Sequence, residues 1–366
     1  MNAPLDNGRL RLAGCLLAIL LSGLPPAPAA GIVVGYTNVA AVAGYPQATM
    51  NRIGQFRWYF AHASVGVNMM EGIADLHAAN AAFYPFTSTS DTNDYPPAAT
   101  ANGLIYENDR GNPGWQAKFD AFTNSIGCGW RDPKVNLVLD KLCFIDPDAD
   151  VNYYIDSMTN LEARFPETLF VYATMPITTD ADGDNDLRNT YNNALRGWVA
   201  SHNRVLFDVA DIEAHNTNGA LSTFVYAGRT NQQMYAGNTS DGGHLSVLGR
   251  QQVAKGFYAV CCALLNSDRD GDGMSDGDEL IAGTCPMNAA SVFAVSAAAA
   301  APGAGRVLSW PGASNRVYTV QRTTNLADAS TFADLLTNAP ATPPLNCVTD
   351  APAGSGPFFY RLGVRQ

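Results

Sequence analysis

From about residue 52 to residue 265, short apolar runs alternate with segments of helical period. Residues 56–61 form a largely apolar run of strand length. A helix is expected from Val65, with Met69, Ile73 and Leu76 on one face. Residues 136–144 read as a second strand, followed by a helix carrying Val151, Ile155, Met158 and Leu161. Residues 168–174 read as a third strand, and the next helix presents Leu187, Tyr191, Leu195 and Trp198. A fourth strand is expected at 204–209 and a closing helix at 245–265. Strands alternating with helices predict an α/β fold: a mainly parallel sheet with helices on both faces. Functional side chains in such a sheet gather at the carboxyl ends of the strands.

Two stretches depart from this pattern. Residues 78–135 are rich in Asn, Pro, Thr and Gly and are expected to form long loops over the strand ends, as the rim of a site. After Leu265 the chain turns acidic and Gly-rich. From Ser291 onward it shows short strand-like runs (306–310, 317–320, 358–362) separated by Pro and Gly, the pattern of a small β-sandwich module.

The N-terminus adds an address. Arg9 and Arg11 precede the apolar run 12–24, and Ala27-Pro28-Ala29 supplies a small-residue cleavage site, so residues 1–29 read as a secretory signal. That run is too short to span a bilayer, and no later segment is long enough. The expected product is secreted or periplasmic, without a membrane span. The expected organisation is a signal peptide at 1–29, an α/β domain at 30–265, a calcium-binding linker at 266–290 and a β-module at 291–366.

Composition narrows the partners. The chain is 47% hydrophobic, 10% aromatic and 15% charged, which excludes disorder for most of its length. Its formal net charge is -11, and losing Asp6, Arg9 and Arg11 with the signal leaves -12. With no Lys/Arg cluster, nucleic acid is not an expected partner. Cleavage also removes Cys15 from the seven cysteines, leaving Cys128, Cys143, Cys261, Cys262, Cys285 and Cys347. An even count in an exported chain suggests disulfides, with Cys285–Cys347 the expected pair. No C-x-x-C pair offers a zinc site.

The acidic linker has the spacing of a calcium loop. Asp268, Asp270, Asp272, Asp276 and Glu279 stand at positions 1, 3, 5, 9 and 12, Gly273 at the turn, and Met274 where a backbone carbonyl is needed. Carboxylates this close repel one another without a cation; the bland alternative is a solvated acidic linker. The loop resembles the calcium repeats of thrombospondin type 3 and dockerin-like modules, which implies a structural calcium ion that stiffens a connector. A second acidic run, Asp180 to Asp186, lacks an acid at position 12 and reads as a solvated loop capping the next helix.

Two further motifs carry the candidate chemistry. In Phe60-Ala-His62-Ala-Ser64-Val-Gly66 a strand ends and a helix begins, so Ser64 is either an ordinary N-cap or a nucleophile beside free helix N–H groups. In Asp241-Gly-Gly-His244 an acid three residues before a histidine can hold Nδ1–H and leave Nε2 for a serine. Of the other histidines, His62 could line the site, and His215, beside Asp211 and Glu213, is a rival acid–base group.

A serine after an early strand, with D-x-x-H near the end of an α/β domain, resembles the SGNH/GDSL hydrolases over residues 52–265. The resemblance implies a flavodoxin-like sheet and a Ser64–His244–Asp241 triad acting on esters. It also implies oxyanion donors at the Ser64 N–H and at a glycine, Gly111 or Gly114. The chain departs from the family where His-Ala-Ser replaces Gly-Asp-Ser. It departs again where Cys143-Phe-Ile-Asp146 replaces G-x-N-D and lacks its asparagine. Asn112 is a candidate for the missing amide, and Asp146 for orienting the site. The expected function is a secreted serine esterase for ester substrates, with O-acetylated carbohydrate as one class and a surface or polysaccharide as partner of the C-terminal module. The alternative is a non-catalytic carbohydrate-binding or cell-surface protein on the same fold, with Tyr84, Tyr95, Tyr106 and Trp115 available to stack on sugars.

Overall fold

A computed structural model describes residues 30–90, 103–126, 135–295, 297–301, 305–352 and 357–365. The expected signal segment, Tyr95 and Cys128 lie outside them. The strands β1 (Ile32–Val34), β2 (Arg57–His62), β3 (Thr87–Thr89), β4 (Leu104–Asp109), β5 (Leu137–Asp140), β6 (Leu169–Ala173) and β7 (Val205–Phe207) form one sheet, ordered β1-β7-β6-β5-β2-β4-β3. Every pairing in it is parallel. The expected fold class, an α/β sheet followed by a small all-β region, is the one the structure has.

Alternate residues of the central strands feed two cores, which is why their runs read as continuously apolar. Trp58, Phe60, Leu137, Leu139, Val171 and Phe207 point to one face. There they meet α3 (Val65–Ala79), α7 (Val209–Ala214) and α8 (Val247–Leu264). Tyr59, Val138, Phe170, Tyr172 and Leu206 point to the other, against α4 (Trp115–Ser125), α5 (Val151–Arg164) and α6 (Gly183–Ser201). The short helices α1 (Tyr36–Ala41) and α2 (Gln47–Ile53) cover the first face near β1.

The stretch at 78–135 is more ordered than its composition suggests. It supplies β3, β4 and α4 as well as loops. Strand β4 pairs with β2 over six residues although only its first half is apolar; Glu107 and Asn108 of its polar half bind His62 and Tyr59 of β2. Helix α4 is anchored by Trp115, Phe119 and Phe122 at helical spacing. Two other expectations shift. The run 136–144 leaves the sheet at Asp140. On α6 the buried face is Tyr191, Leu195 and Val199, while Leu187 is exposed.

Beyond α8, helix α9 (Asp276–Ala282) joins the two parts of the chain. Its Leu280 carbonyl accepts from Asn136 of the sheet at 2.8 Å and from Arg316 of the β-module at 3.0 Å. A small hairpin, β8 (Thr223–Tyr226) with β9 (Arg229–Gln232), lies before α8. The C-terminal module consists of β10 (Ala297–Ala301), β11 (Gly305–Pro311) and β14 (Leu345–Asp350) in one antiparallel sheet. A second contains β12 (Val317–Thr323), β13 (Ala333–Pro340) and β15 (Phe359–Arg365). Leu308 and Trp310 of the first pack on Tyr318 and Val320 of the second.

The expected Cys285–Cys347 bridge is not formed. The Cys285 thiol donates to the Pro166 carbonyl at 3.0 Å, while Cys347 is an exposed residue opposite Ser309. Cys143, Cys261, Cys262, Cys285 and Cys347 are all free thiols. Two of them, Cys143 and Cys261, are buried as small apolar groups.

Candidate active site

Strand β2 is where the chain's crossovers diverge, with β4 on one side and β5 on the other, and such a point opens a crevice at the carboxyl ends. Ser64 stands there, between β2 and α3. Its φ of 56° and ψ of -113° are strained for a residue with a Cβ. Ser64 occupies the N-cap position of α3 but makes no side-chain cap bond. Its hydroxyl turns instead to His244, with Oγ 2.8 Å from Nε2.

His244 is oriented from several sides. Its Nδ1 lies 2.8 Å from Asp241 Oδ2, so that nitrogen carries the proton and Nε2 is left to accept from Ser64. The His244 carbonyl accepts from Thr239 Oγ1 at 2.7 Å, and the following Leu245 N–H donates to Asn68 of α3 at 3.1 Å. The Phe144 ring stands edge-on to the imidazole at 5.3 Å, and Arg188 holds the Phe144 carbonyl at 2.6 Å. The Asp241 carboxylate accepts the N–H groups of His244 and Gly243 at 2.7 and 3.0 Å. These bonds, with the imidazole, hold its pKa down to about 2. Asp241 is thus a carboxylate at any pH where the imidazole can serve as a base.

Behind Ser64 lies a buried polar cluster. Lys141, fully buried just past β5, donates to the Ala63 carbonyl at 3.2 Å and to the Leu142 carbonyl at 3.1 Å. Burial pushes its pKa down. The Cys143 thiol is 3.9 Å from that ammonium and donates to Asn112 Oδ1 at 3.0 Å. It is also 3.5 Å from the Ala63 carbonyl. Asn112 thereby has its Oδ1 occupied by a thiol that also lies against the Ala63 carbonyl, which leaves Nδ2 as the free end of the amide.

The other candidates sit differently. Gly111 N–H donates to Asp109 Oδ1 at 3.0 Å, and Gly114 caps α4. Asp146 pairs with buried Lys118 at 2.5 Å and accepts the Cys143 N–H at 3.0 Å, so it shapes the loop behind the site. His62 is buried, 3.1 Å from Glu107, and its pKa is lowered by desolvation. Its ring packs where Gly66 leaves room, since a Cβ there would stand 2.3 Å from that of His62. His215 stacks on Tyr36 at 4.6 Å and binds the Asp211 carbonyl at 2.7 Å, which gives it a packing role on another part of the molecule. Asp182 caps α6 through Asn185 N at 2.8 Å, and Asp186 is taken up by Arg229 and Asn231.

Lys141 lies beside Ser64 without standing in any of the sequence motifs, and Cys143 enters them only as the first residue of the third-block counterpart. Their signal is the Asp140-Lys141 pair inside an otherwise apolar run, because a charge interrupting a buried strand is there to meet a partner.

In the linker, carboxylate oxygens of Asp268, Asp270 and Asp272 lie within 4.8 Å of one another. Asp270 Oδ2 and Glu279 Oε2 are buried without a partner. Burial and repulsion from Asp270, Asp272 and Asp276 push Glu279 up to about 8. Orphaned, mutually repelling carboxylate oxygens suit a hard divalent cation. The Met274 N–H closes the turn on Asp272 at 2.7 Å. Asp276, also expected as a ligand, has protein partners. It is fully buried and bound by Arg269 Nε at 2.7 Å and by Ser267 Oγ.

Residues 268–289 match the bacterial TSP3 repeat. A search of curated proteins finds no match. Among solved structures, the chain is similar to a Desulfitobacterium hafniense protein described as lipolytic, of the G-D-S-L family. The identity is 9% and the TM-score 0.35, over 56% of this chain and 98% of that one. A Streptococcus pneumoniae protein described as a platelet activating factor aligns at 13% identity and TM-score 0.34, over 57% and 88%. The C-terminal catalytic domain of a Streptococcus pneumoniae peptidoglycan O-acetyltransferase aligns at 9% identity and TM-score 0.30, over 58% and 93%.

Proposed function

We propose that the protein is an exported serine ester hydrolase, with O-acetylated carbohydrate as its substrate class. The observation that carries this reading is the hydrogen-bonded series Ser64 Oγ, His244 Nε2, His244 Nδ1, Asp241 Oδ2, in which Ser64 sits in a strained turn and forgoes its capping role. Ser64 Oγ attacks the ester carbonyl while its proton passes to His244 Nε2. The C–O bond to the alcohol then breaks, and His244 returns that proton to the departing oxygen. Water attacks the acyl-serine with its proton going to His244, the carboxylic acid leaves, and Ser64 regains its hydrogen. Asp241 fixes the imidazole tautomer and stabilises its charged form. The Ser64 N–H and Asn112 Nδ2 are the assigned donors to the oxyanion.

A fluorophosphonate probe tests this directly, because it phosphonylates a serine only where a base and oxyanion donors activate it. Stoichiometric adduct mapped to Ser64, and lost in His244→Ala, is the expected result. A folded protein that takes no adduct would instead be the sugar-binding or cell-surface protein allowed by the missing third-block asparagine.

The linker loop is assigned to one structural calcium ion, held by Asp268, Asp270, Asp272, Glu279 and the Met274 carbonyl. It would stiffen α9, which touches both β5 and the β-module. Calcium at about a hundredfold over its Kd should stabilise the chain by about 2.7 kcal/mol, read as a raised melting temperature that chelator reverses. Glu279→Gln should lose that response while raising the melting temperature of the calcium-free protein at neutral pH, since it removes the cost of holding a carboxyl whose pKa burial and neighbouring carboxylates push up to about 8. Identical melting with calcium and with chelator would overturn the assignment.

A further inference from the structure

The carboxyl edge of the sheet has a second depression, away from Ser64. It lies over the ends of β1 and β7 and has a volume of about 470 Å³. Its floor is a fixed hydrogen-bond network of five residues, four of them on α6, β9, α7 and α1. Arg196 of α6 grips Asp208 through two bonds of 2.6 and 2.7 Å and donates a third, of 2.7 Å, to Gln232 of β9. Gln232 donates to Asp211 of α7 at 3.1 Å, and Asp211 accepts the Tyr36 N–H of α1 at 2.8 Å. The floor closes tightly at Gly35, where a Cβ would stand 2.4 Å from Asp211 Oδ2.

The rim is left with donors to spare. Asn38 and Asn193 each spend Oδ1 inside the protein, on Gly35 N at 3.1 Å and on Arg196 Nη1 at 2.9 Å, and each keeps Nδ2. Thr37 and Thr230 add exposed hydroxyls. Two carboxylates face one guanidinium, which opposes an anionic ligand. The lining is polar apart from Val33, which offers nothing to an acyl chain. A neutral polyhydroxyl compound matches what remains: fixed, planar amide and carboxylate groups with both donors and acceptors.

We propose that this depression is a subsite for a neutral saccharide, and the proposal rests on the ester hydrolase reading only for its link to catalysis. Three to four strand spacings separate it from the end of β2, roughly 14 to 19 Å at about 4.8 Å each. A single sugar cannot reach both places. An oligosaccharide can lie in the subsite while an acyl group further along the same chain meets Ser64.

The test uses the full chain carrying Ser64→Ala, so that ligands persist, and follows the side-chain amides of Asn38 and Asn193 by NMR. The probes are neutral hexasaccharides cut from xylan, mannan and cellulose, with trigalacturonate as the anionic control. Both amides should shift with at least one neutral hexasaccharide and stay still with trigalacturonate. Asn193→Ala combined with Thr230→Ala should weaken that binding about tenfold, as expected for two lost hydrogen bonds. In the Ser64 parent the same pair should leave 4-nitrophenyl acetate hydrolysis unchanged. No shift with any neutral hexasaccharide at millimolar concentration, or a stronger response to trigalacturonate, overturns the subsite. Binding with no acetate hydrolysis by the parent would keep the subsite and remove the hydrolase reading instead.

Discussion

Ser64→Ala is expected to abolish ester hydrolysis with the fold and stability almost unchanged, and Ser64→Gly to abolish it with a gain in stability. Loss of a triad serine costs up to about a millionfold in kcat, since no other group can form the acyl intermediate. The stability signs separate because of the backbone. At φ 56° and ψ -113° any residue with a Cβ is strained, so alanine inherits the strain, whereas glycine does not. Relief of about 1–3 kcal/mol is partly offset by glycine's extra unfolded-state entropy of about 0.5–1 kcal/mol, leaving a gain of about 1 kcal/mol. Turnover of 4-nitrophenyl acetate and urea unfolding of both variants measure the two effects. Residual hydrolysis in Ser64→Ala above about a thousandth of the parent rate would assign the nucleophile elsewhere, and a destabilised Ser64→Gly would remove the strain argument.

The junction that holds this strain is also what makes the site partly legible in the sequence. Serine between a strand and a helix and D-x-x-H before a closing helix are local patterns, and the fold needs only to bring two strand ends together for them to meet. The central strands are legible because they are buried on both faces and so leave continuous apolar runs. Edge and support elements are not. Strand β1 has only three residues and is recognisable only by its pairing with β7, and β3 is three half-buried Ser/Thr positions. Helix α4 does carry Trp115, Phe119 and Phe122 at helical spacing, but Asn, Pro and Gly around it obscure the pattern. The Cys285–Cys347 pairing fails for a different reason. Proximity in sequence to one module says nothing about which way a thiol faces, and Cys285 faces Pro166 of the α/β domain. That Asp276, at position 9 of the loop, has a protein partner does not show in the sequence, because Arg269, at position 2, folds back to bind it.

The proposed oxyanion donor carries the second large effect. Asn112→Ala should lower kcat by about a hundred- to a thousandfold with little change in KM, the cost of one oxyanion donor that acts only in the transition state. An asparagine of the third block that the SGNH resemblance implies would stand in the loop after β5. Here that loop gives Lys141 and Cys143, and the amide proposed in its place comes from across β2, on the loop after β4. The two loops are coupled, because the Cys143 thiol occupies Asn112 Oδ1 and Lys141 anchors both to the Ala63 carbonyl. This coupling predicts an order among variants. Asn112→Asp, nearly the same shape, should be worse than Asn112→Ala, because it exchanges the donor for a negative charge beside a developing oxyanion. Cys143→Ala leaves the amide in place but frees it to turn over, so its loss should be smaller than that of Asn112→Ala. Rates on 4-nitrophenyl acetate for the three variants decide the matter. Asn112→Asp as active as the parent would mean that Asn112 is a spectator and that the oxyanion is held by backbone N–H groups alone.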